Sequence, residues 1–300
     1  MYRLLLIFSL FLPFTSFADR PFNVTYEYES ELHVVTGKAY KNGILFNNDR
    51  ENVVRLVTLN WPPYIDDSLC NKGWVYQLTV ALFHQAGYGV YIEFLPWARA
   101  VREAELGKAD VLFPEYFIEA NAPSDVVTGM HRTDLLRLSA PIPGGEINFL
   151  KLKDTELEFN GNLLSIINKM IGVVRGYQNT PEFDALMDAG KLSIVEAVDD
   201  LQLSRLLMNK RVEIIIGDPQ VIQSSILMSE ETSTQKRQWL SELDIVEPSL
   251  AYNPLYFAIS KRVKNSYTIL ENINDAINRF KQTGTLNRII ETAKSQCHQY

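Results

Sequence analysis

From Val53 onward the chain alternates short runs rich in Val, Ile and Leu with amphipathic stretches of helical period, and this alternation restricts the fold more than any other feature. A strand followed by a helix and a further strand forms a crossover unit, and a series of such units builds largely parallel sheets flanked by helices. Strands are predicted over 53–59, 90–95, 110–113, 171–174, 192–195 and 212–216, and helices over 74–87, 96–106, 180–187, 199–210, 266–282 and 285–296. Thr180-Pro181 and Asp218-Pro219 pair a capping side chain with Pro at the first helical position, and Gly87, Gly107 and Gly284 supply helix stops. Residues 19–52 lack a helical period: Phe22-Asn23-Val24-Thr25-Tyr26 alternates apolar with polar, and Lys41-Asn42-Gly43 marks a turn. That segment reads as a short hairpin or strand extension, and Gly144-Gly145 reads as a turn.

The chain's 300 residues, 46% hydrophobic and 22% charged, suffice for a full core in one or two domains. With 29 Lys+Arg against 36 Asp+Glu the net charge is −7 and no basic cluster stands out, which argues against a nucleic-acid partner. His33, His84, His131 and His298 show no metal-ligand spacing, and two Cys are too few for a four-Cys zinc site, so no metal or cofactor is expected. The chain carries no nucleophile elbow, phosphate loop or dinucleotide fingerprint, so catalysis is not advertised.

Residues 1–18 read as an export signal, with Arg3, an apolar stretch over 4–14 and small residues before Asp19. The stretch is too short to span a bilayer. The expected destination is the periplasm, an oxidising compartment in which Cys70 and Cys297 are candidates for a disulfide.

Polar and aromatic residues gather just after the predicted strands. Trp61 and Tyr64 follow the first, Glu115 and Tyr116 follow 110–113, Arg175 and Tyr177 follow 171–174, and Asp218 follows 212–216. In open α/β sheets such positions converge on a crevice beyond the strand carboxyl ends, where rings give a ligand apolar area and charges orient it. Each also has a plainer reading: Trp61 as core, Asp218 as a helix cap, Arg175 as a surface ion pair.

Several motifs then fall into a familiar order: Leu59-Asn60-Trp61-Pro62-Pro63-Tyr64, Pro96-Trp97-Ala98-Arg99-Ala100, Gly107-Lys108-Ala109-Asp110, Leu138-Ser139-Ala140-Pro141-Ile142, Ile171-Gly172-Val173-Val174-Arg175-Gly176, and Gly217-Asp218 after an apolar strand. In this order the chain resembles family 3 of the periplasmic solute-binding proteins, the polar-amino-acid binders of ABC importers. The resemblance implies a two-lobed α/β fold, each lobe a mostly parallel sheet flanked by helices, with a hinge between them. Lobe 1 would comprise 53–145 plus 251–300, and lobe 2 146–250. It further implies Trp61 or Tyr64 packing on the ligand, Asp218 taking the ligand ammonium, and an Arg holding the ligand carboxylate. Counted without a gap from Asp110 its position falls on Ala122; counted back from Ser139, with an insertion around 115–127, it is Arg132. If Arg132 points elsewhere, Glu115 and Asp218 would suit a cationic ligand.

The expected function is non-enzymatic: a monomeric periplasmic binder of a small polar solute that hands its cargo to the membrane subunits of an ABC importer. Two alternatives stand beside it: a dehydratase of a cyclic acid on the same scaffold, with Glu115 as the acid, and a ligand-binding input to a receptor.

Overall fold

The computed structural model describes residues 21–296; the export signal over 1–18 and Cys297 lie outside the described residues. Three strands come first, β1 (Phe22–Tyr28), β2 (Glu31–Tyr40) and β3 (Gly43–Phe46). The Glu29-Ser30 turn between β1 and β2 has both residues at positive φ (51° and 65°), the conformation whose twist matches paired strands. The alternating units follow as β4 (Val53–Thr58), α1 (Trp74–Gln85), β5 (Gly89–Phe94), α2 (Trp97–Glu105) and β6 (Val111–Glu115). Next come α3 (Arg132–Leu135), β7 (Leu136–Leu138) and the long β8 (Ile142–Leu152). The second set is β9 (Met170–Val174), α4 (Pro181–Asp188), β10 (Ser193–Ala197), α5 (Asp200–Met208), β11 (Ile214–Gly217) and α6 (Pro219–Met228). The chain closes with α7 (Ser233–Glu242), β12 (Leu243–Ser260), α8 (Ser266–Gln282) and α9 (Thr285–Gln296).

Two parallel cores result. In one, β4 lies between β5 and β6; in the other, β9 lies between β10 and β11. Antiparallel pairs extend them: β1, β2 and β3 continue the first core beyond β5, so residues 22–46 add three strands to that sheet. The helices start where their caps dictate. Thr180, Asp199 and Asp218 each accept a backbone N–H of the first turn, from Phe183, Gln202 and Gln220. Apolar faces then seal each core: Phe83, Phe113 and Phe257 are fully buried in the first, and Leu150, Leu203 and Ile222 in the second.

The link between the cores is antiparallel. β8 pairs with β11 at its C-terminal end, β12 pairs with β6 and β7 at its C-terminal end, and β8 and β12 pair with each other in between. Register slips between Val246 and Ala251 and between Asn253 and Leu255 interrupt this crossing. Gly144-Gly145 is therefore strand rather than the expected turn. Both glycines are required by close approach: a Cβ on Gly144 would overlap the Asn253 carbonyl, and one on Gly145 the Asp218 carboxylate and the Tyr64 hydroxyl. Among the described residues no helix is long and apolar enough to cross a membrane.

Candidate functional site

The carboxyl ends of β4, β6, β9 and β11 face one another across the crossing strands, and each delivers side chains to a common space. After β4 the chain folds on itself: the Trp61 N–H donates to the Ile65 carbonyl (2.6 Å), and the Tyr64 and Ile65 N–H groups donate back to the Trp61 carbonyl. This tight loop stacks the Trp61 and Tyr64 rings, with centroids 4.6 Å apart and planes 20° from parallel. From the end of β6, Tyr116 meets Trp61 edge-on at 5.6 Å. From α2, Trp97 meets Tyr177 edge-on at 6.0 Å, and its Nε1 donates to the Gly176 carbonyl over 3.1 Å. Gly176 has a φ of 80°, a left-handed conformation that suits glycine at this turn.

Trp61, Trp97, Glu115, Tyr116, Tyr177 and Leu255 line a buried apolar cavity of ≈ 20 Å³. That is room for about one water and not for a solute, so the two halves are shut on one another. The closest tie is the Tyr64 hydroxyl, which donates to Asp218 Oδ2 over 2.7 Å with both side chains buried. The other Asp218 oxygen accepts from the Gln220 N–H at 2.8 Å, so one carboxylate caps α6 and latches the opposite half. Near the crossing strands, Asn253 Nδ2 also donates to the Asn179 carbonyl.

Carboxylates dominate the electrostatics. Burial pushes Asp218 above the usual carboxylate range, with the Tyr64 bond opposing it. Burial raises Asp200 to about 7, although its Oδ2 accepts the Tyr177 hydroxyl at 2.9 Å. Burial also raises Glu115, against the pull of the Arg132 guanidinium. The three cleft tyrosines, Tyr64, Tyr116 and Tyr177, are held well above their ordinary values, chiefly by burial. Trp61 Nε1 and the Tyr116 hydroxyl are buried donors with no protein acceptor.

Of the residues singled out in the sequence, Trp61, Glu115, Tyr116 and Tyr177 line the cavity, and Tyr64 and Asp218 close its side. Arg132 stands behind Glu115: its Nη2 donates to Glu115 Oε2 (2.7 Å) and its Nε to Glu105 Oε1 (3.0 Å). Glu105 also accepts the Ser124 hydroxyl. Arg132 thus binds two protein carboxylates, and its third nitrogen, Nη1, is buried without a protein partner. Arg175 does not reach the cavity. It points to the surface and pairs with Glu196 at 2.7 Å, while the left-handed turn at Gly176, just past the end of β9, redirects the chain so that Tyr177 faces the cavity. Cys70 lies with its Sγ 3.8 Å from the Gln296 carbonyl, one residue before Cys297 in the chain.

Two acids at the site were not singled out, and both left a trace. Glu105 occupies the apolar face of α2 with Trp97, Val101 and Ala104, and Asp200 that of α5 with Leu203, Ser204 and Leu207. An acid in register with core residues signals a buried, paired charge. Among the described residues no group of three or more His, Cys, Asp or Glu is placed to hold a metal ion.

Two half-sheets bridged by two crossing strands, with a cavity where their strand ends meet, make this a two-lobed α/β protein of the periplasmic-binding-protein fold. Comparison with solved structures agrees. A histidine kinase sensor domain with similarity to periplasmic binding proteins matches with a TM-score of 0.65 at 16% identity, covering 82% of this chain and 97% of that one. An ancestral arginine-binding protein bound to arginine matches with a TM-score of 0.63 at 18% identity, covering 81% and 99%. An arginine third transport system periplasmic binding protein from Legionella pneumophila matches with a TM-score of 0.61 at 13% identity, covering 81% and 100%. No protein-family model matches the chain, and no curated protein matches its sequence.

Proposed function

We propose that the chain is a periplasmic binder of a small solute carrying an amine or guanidinium group, held between its lobes and passed to a membrane importer. The carrying observation is the pairing of aromatic rings of one lobe, Trp61, Tyr64 and Tyr116, with a ring and two buried acids of the other, Tyr177, Asp200 and Asp218. Aromatic faces attract a desolvated cation, and a buried carboxylate fixes its position. A groove of ≈ 380 Å³ is lined by Asp66, Asp67, Asp199 and Asp200, of which Asp67 is paired with Lys72, and its remaining acids would draw positive charge toward the cleft. The comparison proteins support the reading, since they include binding proteins of transport systems.

Entry requires the lobes, 53–145 with 251–300 and 146–250, to part, breaking the Tyr64–Asp218 and Trp97–Gly176 contacts while β8 and β12 bend. The dehydratase reading asks Glu115 to donate a proton; burial raises this carboxyl, while both its oxygens accept hydrogen bonds, from Arg132 and from the Tyr116 N–H, which oppose that rise. Calorimetry of the protein against amines, basic amino acids, dicarboxylic acids and sugars tests the proposal. Heat with the cationic compounds alone is expected; binding confined to acids or sugars, or no binding, would reject it.

A further inference from the structure

Among the described residues that line the cavity and two acidic grooves, Arg132 is the one cationic side chain, and two acids hold it. Glu105 and Glu115 each hold one edge of its guanidinium, at 3.0 and 2.7 Å, and all three side chains are buried. Two carboxylates against one guanidinium leave the trio net negative. Glu115 is the member that lines the cavity, so a ligand meets an acid where it would otherwise meet Arg132. The remaining Arg132 nitrogen, Nη1, has no partner. Arg132 borders a groove of ≈ 420 Å³ whose other charged lining residues are acids, Glu105, Asp125, Asp184, Asp188 and Glu196, the last of them paired with Arg175. A second groove is lined by Asp66, Asp67, Asp199 and Asp200; Lys72 pairs with Asp67, and no described lining residue of the groove is a cation. A ligand carboxylate would therefore be stripped of water and set among like charges, and the one free nitrogen that could receive it, Arg132 Nη1, belongs to a guanidinium already flanked by two carboxylates.

We infer that the solute is an organic cation without a carboxylate, and that Glu115 is the residue that sets this preference by masking Arg132. The inference rests on the cationic-solute reading above and narrows it. Trp61 Nε1 and the Tyr116 hydroxyl fit this class: as neutral donors they suit a neutral acceptor, such as a hydroxyl or carbonyl, on the same molecule.

The test is calorimetry with matched pairs that differ by the carboxylate: agmatine and arginine, cadaverine and lysine, phenethylamine and phenylalanine. For the pair that fits best, the amine is expected to bind at least about tenfold more tightly than its amino acid, since one like-charge encounter costs that much or more. Glu115→Gln frees one edge of Arg132 and should shrink that ratio severalfold while the amine still binds. If the amino acid binds as tightly as its amine or better, the inference fails and the cationic-solute reading stands; if neither member of any pair binds, both fail. An unchanged ratio in a folded Glu115→Gln protein would remove Glu115 as the determinant, and the wild-type ratio decides the ligand class even where that variant does not fold.

Discussion

The hydroxyl of Tyr64 donates to the carboxylate of Asp218 over 2.7 Å, joining residues 154 positions apart and, with them, the two lobes. Both groups are buried, so the bond carries more than a surface contact would. It also shows what a ligand has to do: a cation that reaches Asp218 must displace a tyrosine hydroxyl that already satisfies it.

Tyr64→Phe removes the donor and leaves Asp218 Oδ2 buried without it, at a cost to the closed form of about 1–3 kcal/mol. The variant should populate an open form, read as a larger radius of gyration by small-angle scattering and as a contraction when a binding amine is added. Profiles identical to wild type would mean that this bond does not hold the lobes together.

Gly145→Ala tests the same latch from the backbone. The glycine is not at positive φ, so only space is at issue, and its Cβ would overlap the Asp218 carboxylate and the Tyr64 hydroxyl. Overpacking of this kind costs about 1–3 kcal/mol, and the cheapest relief is separation of the lobes. The expected result is an expanded scattering profile with secondary structure retained by circular dichroism.

Stability should fall as pH rises through the acidic range. Asp200 is raised from 3.8 to about 7 and Asp184 from 3.8 to about 6, both chiefly by burial. A carboxylate raised in the folded state takes up a proton there before the unfolded chain does, so its contribution is most favourable below about pH 4 and is lost between that pH and the folded value. Thermal melts should therefore show a higher midpoint at pH 5 than at pH 8. Asp200→Asn, which can still accept the Tyr177 hydroxyl, should flatten part of that slope. A midpoint rising from pH 5 to pH 8 would contradict the assignment.

The placement of Cys70 beside the Gln296 carbonyl leads to the expectation that Cys70 and Cys297 are bridged. Intact mass of unreduced protein should fall short of the reduced form by two hydrogens. Cys70→Ser should then destabilise by about 4–5 kcal/mol on the loop-entropy account, measured by denaturant unfolding. Two thiols titrating in the unreduced folded protein would end the idea.

Much of this fold is legible in the chain because its signals are short-range. A Thr180 or Asp199 side chain reaches a backbone N–H three residues on, and Gly284 breaks a helix by its own conformational freedom, so α4, α5, α8 and α9 follow from local sequence. The convergence of Trp61, Tyr64, Tyr116, Tyr177 and Asp218 was likewise readable, since parallel strands place their following residues on one edge. What the sequence alone determined was the set of elements and the edge on which the site would form. The tertiary structure alone decided which charges answer one another. Arg132 meets Glu105 and Glu115 across 27 and 17 residues, Arg175 turns outward to Glu196, and Gly144-Gly145 lies in a crossing strand rather than a turn. Pairing between distant charges depends on how helices, strands and loops pack within each lobe, and burial then fixes which partners remain in reach once water is excluded; neither is encoded within the span of a turn or a helix.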